Sequence, residues 1–206
     1  MKKTTTVLLA LTGALFFLST NASAIAILDV DSSGQLLGAK GVVVGENTYD
    51  VEFTDGAYWS LFEFGHTFGY YNAALASQAL LDQVLLDTEY GLFDSNPSLT
   101  KGIETTRAYG GVIFTPHSRP FLNSGGSFQL GGWAARNTPT IANDEIASWA
   151  IASSGPSFNS TNMTTLTYAV WTQSAAPVPE PGTFALLLAG LLAVVTYKKT
   201  LLNKNK

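Results

Sequence analysis

The chain has 206 residues, 46% of them apolar and only 13% charged, with no cysteine. It has room for one domain plus targeting segments, and disulfides, thiolate metal sites and cysteine nucleophiles are excluded. Residues 25–176 hold 14 of the 15 acidic and five of the 11 basic side chains, a balance of −9 with both histidines neutral. A body so acidic repels phosphate backbones and excludes nucleic acid as a partner.

The N-terminal stretch has the three parts of a secretory signal. Lys2 and Lys3 hold one end in the cytoplasm, Val7 to Leu18 is apolar, and Ala22-Ser23-Ala24 offers small residues to a signal peptidase. A permanent anchor would need a longer apolar run, so the reading is a signal peptide over 1–24, removed after Ala24.

Strand signals dominate the next segment. V-V-V-G-E-N-T-Y-D-V-E-F carries two β-prone runs around a Gly-Glu-Asn-Thr turn, and Tyr49, Val51 and Phe53 alternate with Asp50, Glu52 and Thr54. In L-F-E-F-G-H-T-F-G-Y the residues Phe62, Phe64, His66, Phe68 and Tyr70 share one parity, which predicts a further strand bent or broken at its glycines.

One helix follows in N-A-A-L-A-S-Q-A-L-L-D-Q-V-L-L-D, with Asn72 as N-cap and Gly91 as stop. Leu80, Leu81, Val84 and Leu85 form its apolar stripe, extended by Ala73, Ala74 and Ser77, while Leu75 and Leu86 lie on the far side. After a loop at F-D-S-N-P-S come the β-prone runs A-Y-G-G-V-I-F-T-P, S-F-Q-L-G-G-W-A-A, A-S-W-A-I-A and T-T-L-T-Y-A-V-W-T. The expected fold class is therefore α+β: a β-rich single domain over 25–176, with one main amphipathic helix on an antiparallel sheet.

Candidate chemistry in this body is sparse. Asp29-Val30-Asp31-Ser32-Ser33-Gly34 opens like a calcium loop, but an EF-hand needs an acid at its twelfth position and Lys40 stands there. It reads as a polar turn, with a calcium site completed by a distant acid as the alternative. His66 and His117 fit no zinc spacing, and no G-x-S-x-G elbow occurs. No catalytic residue, metal site or cofactor is assigned. Tyr58, Trp59, Phe62, Phe64, Phe68, Tyr70 and Tyr71 crowd into fourteen residues. Most such rings build a core, but an exposed subset can stack on sugar rings, and Tyr58 and Trp59 are the candidates. Asn159-Ser160-Thr161 and Asn162-Met163-Thr164 match the glycosylation pattern.

Residues 174–179, S-A-A-P-V-P, read as a linker, and an apolar run over about 182–197 reads as a transmembrane helix. At about 1.5 Å per residue it spans roughly 24 Å, and Tyr197 and snorkelling lysines cover the rest of a core of about 30 Å. Prolines 177, 179 and 181 stop the helix from extending backwards. Lys198 and Lys199 hold its end inside, so the body lies across the membrane.

Pro179-Glu180-Pro181, the apolar span containing Ala189-Gly190-Leu191, and Lys198-Lys199 occur in the order of a sorting tail, and the last thirty or so residues resemble the PEP-CTERM proteins. The tail departs from the family pattern in having Lys-Lys for the Arg-rich cluster, followed by T-L-L-N-K-N-K. The resemblance implies a Gram-negative envelope, processing by the membrane protease exosortase, and a host that makes extracellular polysaccharide and biofilm. The body loosely resembles other cargo of that system in Y-D-V-E-F, the Ala/Leu helix, F-D-S-N-P and T-Y-A-V-W-T.

The resulting expectation is an exported, non-enzymatic envelope or matrix protein. Its inner-membrane precursor carries a sorting tail over 177–206, and its partners are signal peptidase, exosortase and extracellular polysaccharide. The alternative is a secreted polysaccharide-acting enzyme.

Overall fold

The computed structural model describes residues 25–63, 65–104, 110–139, 143–153 and 158–174. The predicted signal peptide with Ala22 and Ala24, and the predicted tail with Pro179, Glu180, Pro181, Lys198 and Lys199, lie outside them. Among the described residues no helix is long and apolar enough to cross a membrane.

Among the described residues ten strands form: β1 (Ile27–Val30), β2 (Leu36–Val44), β3 (Asn47–Thr54), β4 (Asp87–Thr88), β5 (Gly91–Leu92), β6 (Gly111–Pro116), β7 (Phe121–Leu122), β8 (Phe128–Asn137), β9 (Glu145–Ser153) and β10 (Leu166–Gln173). A short helix α1 (Tyr58–Leu61) precedes the main helix α2 (Tyr70–Gln83). The main sheet runs β1-β2-β3-β10-β6-β8-β7, and β9 also pairs with β8.

The alternation read around Val51 and Phe53 is present. Both side chains are buried, Glu52 is exposed, and the β2–β3 turn is the tight pair Gly45-Glu46. Gly45 sits at φ +63°, a left-handed conformation that glycine adopts without steric cost. The four β-prone runs of the second half are β6, β8, β9 and β10.

Three expectations change. The sheet is mixed, because β10 lies parallel to β6, with Leu166 opposite Val112 and Tyr168 opposite Phe114. The described residues of the segment 61–70 form no strand. Its start is the end of α1, and Gly65 at φ +107° turns the chain before α2 begins. Period two in the aromatic positions there reflects Phe62 and Phe68 anchoring in two different cores. The helix, lastly, starts at Tyr70 and ends at Gln83, so Asn72 lies inside it and Gly91 beyond it in β5.

Both faces of the central strands are covered. On one face Ile113, Ala135, Ala169 and Trp171 pack against Ala73, Ala76, Leu80 and Leu81 of α2, with Val84 and Leu85 just past it. On the other, Val112, Phe114, Leu130, Ala134, Leu166 and Tyr168 pack against Tyr58, Phe62 and Phe158. That is why β6 is buried at every position and reads as a continuous apolar run. The stripe expected on α2 is buried save for a half-covered Ala74, whereas Leu75 on its far side faces solvent.

Candidate functional site

Two groupings stand out, and neither is contiguous in sequence. The first gathers where α1, the loop 62–69, the start of α2 and the loop after β6 meet. Tyr58 is fully buried, so its ring stacks in the core against Phe62 rather than facing a sugar. Trp59, one position on, is 42% exposed, and the sugar-contact expectation narrows to it.

The Tyr58 hydroxyl stands 3.5 Å from His66 Nδ1 and donates a hydrogen bond to the Ser118 carbonyl at 3.4 Å. His117 is fixed by its main-chain N–H, which donates to the Gly131 carbonyl at 3.1 Å, and its ring meets Tyr70 edge to face at 4.9 Å. Tyr70 continues onto Trp133 at 5.4 Å. A Cβ on Gly131 would come within 2.9 Å of His117 Cε1, so a side chain there would have to displace the ring. The two histidines, fifty-one positions apart, thus share one neighbourhood with Arg119. Burial holds the His66 imidazole below its ordinary range, and His117 and Arg119 push it the same way. Burial also lowers His117 and raises Tyr58.

The second grouping is acidic. Asp94, 9% exposed, hydrogen-bonds through its carboxyl to Asp144, and its Oδ1 is buried without a partner. Asp144 Oδ1 accepts from the Thr138 amide at 2.7 Å and its hydroxyl at 3.1 Å. Asp87 accepts from the Asp94 and Ser95 amides, both at 3.0 Å. Burial raises the Asp94 carboxyl to about 6, helped by the Asp144 hydrogen bond and by the charges of Asp144 and Asp87.

The calcium-like opening is a turn. Asp31 Oδ1 accepts from the Ser33 amide and hydroxyl and the Gln35 amide at 2.7–2.9 Å, which occupies that oxygen within its own loop. Among the described residues no three His, Asp or Glu side chains converge on a metal position.

Two shallow depressions open elsewhere. One, of about 410 Å³, lies between β9 at Trp149–Ala152 and residues 162–166; the other, of about 380 Å³, lies on β2, β3 and β10. Neither contains a histidine, Asp94 or Asp144.

Sequence reasoning weighed His66, His117 and the aromatic run separately. It missed Arg119 and the Asp94–Asp144 pair, because no local spacing signals a meeting made by the fold. Residues 177–199 match the family described as the PEP-CTERM protein-sorting motif. No curated protein and no solved structure matches the chain. The chain therefore carries the sorting motif of the PEP-CTERM proteins, which implies export as a membrane-anchored precursor that the membrane protein exosortase processes to the cell surface.

Proposed function

We propose that this is a non-enzymatic surface protein of a Gram-negative envelope, which contacts extracellular polysaccharide and takes part in biofilm or surface adhesion. The observation that carries the reading is the sorting motif at residues 177–199. The working part is then the body that follows removal of the signal peptide after Ala24. Its exposed rings support contact with sugars: Trp59 and Tyr70 each present part of a flat apolar face, and Tyr71 is 82% exposed.

The Asp94–Asp144 pair does not support the enzymatic alternative. Glycoside hydrolysis needs two carboxyls about 5–9.5 Å apart, with the sugar between them. Asp94 and Asp144 instead hydrogen-bond each other, with Asp94 closed to solvent, so no glycosidic oxygen fits between them.

The test is retention on the host's own extracellular polysaccharide. Full-length protein in mild detergent is expected to be retained, and Trp59→Ala to weaken retention several-fold while leaving the circular dichroism spectrum unchanged. Release of reducing sugar by the purified protein would instead establish the enzyme.

A further inference from the structure

We infer that the patch formed by His66, His117, Arg119 and Tyr70 is a binding site for the carboxylate of an acidic sugar, a uronate unit whose ring lies on Tyr70. This rests on the polysaccharide-contact reading above and names the class of sugar.

The first argument is local charge. In a body of −9, two imidazoles and a guanidinium converge, and none of the charges that act on His66 is a carboxylate. Of the other described cations, Lys101 pairs with Glu52 at 3.6 Å and Arg136 with Glu145, while Lys40 stands alone on the surface without a neighbouring histidine pair. Arg119, which is exposed, has no ion-pair partner among the described residues. Once the imidazoles take up protons below neutral pH, like charges held together without a counter-charge repel, and an anion completes such a cluster at a net gain.

The second argument is rigidity. The His117 backbone is held by Gly131, its ring lies against Tyr70, and the Tyr58 hydroxyl lies beside His66. Arg119 Nη2 passes 3.7 Å from where a Cβ on Gly65 would stand, alongside the turn that carries His66. Little ordering entropy remains to oppose binding at these imidazoles.

The third argument is shape. Tyr70 is 46% exposed beside His117, so a cationic donor set and a flat apolar surface adjoin. A carboxylate attached to a pyranose ring fills both, whereas a bare inorganic anion fills only the first. Because both imidazoles titrate below their ordinary range, Arg119 supplies the charge at neutral pH and the imidazoles join as pH falls. The groups facing His66 are Tyr58, His117 and Arg119. Tyr70 faces His117.

Full-length protein in mild detergent would be titrated with polygalacturonate, with its fully methyl-esterified neutral form, and with free galacturonate read by the imidazole NMR signals. Polygalacturonate is expected to bind at least tenfold tighter than the ester and tighter still at pH 5.5 than at 7.5. Arg119→Ala is expected to lose about tenfold, and Arg119→Lys to recover part. His117→Gln gives a second, independent loss, with folding of each variant checked by circular dichroism. Galacturonate is expected to shift both imidazoles. Equal binding of acid and ester, untouched by the Arg119 substitutions, would overturn this inference and leave polysaccharide contact standing. No binding of either polymer, with unmoved imidazole signals, would overturn both.

Discussion

At Asp94 a single side chain sets a pH dependence. Its carboxyl is raised from 3.8 to about 6, mainly by burial and then by Asp144. An acid whose folded pKa exceeds its unfolded one keeps its proton in the native state while the unfolded chain has already ionised. Folding then takes up a proton, and stability falls as pH rises from about 3.8 to about 6 and stays lower above it. The expected loss is on the order of 1–3 kcal/mol. Asp94→Asn keeps a neutral side chain in the same place, so urea midpoints of the variant and the parent should diverge in the variant's favour across that window. A difference that does not change with pH would refute the shared-proton pair. Asp31 and Asp87 titrate the other way: their carboxylates are held low, first by hydrogen bonds from Ser33 and Ser95, and their contribution is lost in stronger acid.

At the scale of elements, α2 is tied to the sheet by polar as well as apolar contacts. β1 pairs with β2 only as far as Lys40, which leaves the edge of β2 beyond it open. Gln83, the last residue of α2, closes that edge: its Oε1 accepts from the Val43 amide at 2.9 Å and its Nε2 donates to the Val43 carbonyl at 2.8 Å. The side-chain amide thus stands in for a strand. Gln83→Ala removes two hydrogen bonds and is expected to cost about 1–3 kcal/mol, read as a lowered chemical-denaturation midpoint. Faster amide exchange at Val43 would accompany it, whereas protection of Val51 in β3 should hold. The helix itself was legible, because Leu80, Leu81, Val84 and Leu85 recur as a helical stripe requires. Its ends were not, since the N-cap is Gly69 with no capping side chain and the chain leaves the helix at Val84 without glycine. The segment 61–70 misled because shared parity of apolar residues does not require a strand: Phe62 anchors in one core and Phe68 in the other, across a turn.

For the whole molecule, the sorting motif sets the expectation for the mature product. Intact mass of protein isolated from an exosortase-bearing host is expected to match a start at Ile25 and an end near Pro179–Pro181, with or without added sugar. A mass that retains Lys206 would make the tail a lasting anchor and the body a tethered domain. Destination was readable from sequence because membrane targeting depends on local properties: an apolar run, flanking lysines and a Pro-Glu-Pro knot all lie within a few residues. Strand positions were readable for a similar reason, as alternation and turn residues act over short range. What only the tertiary structure decided is long-range: the parallel β6–β10 pairing, the burial of Tyr58 beside an exposed Trp59, and the meetings of His66 with His117 and of Asp94 with Asp144. Those depend on which strands become neighbours, a choice made by burying two apolar faces at once, and no spacing along the chain encodes it.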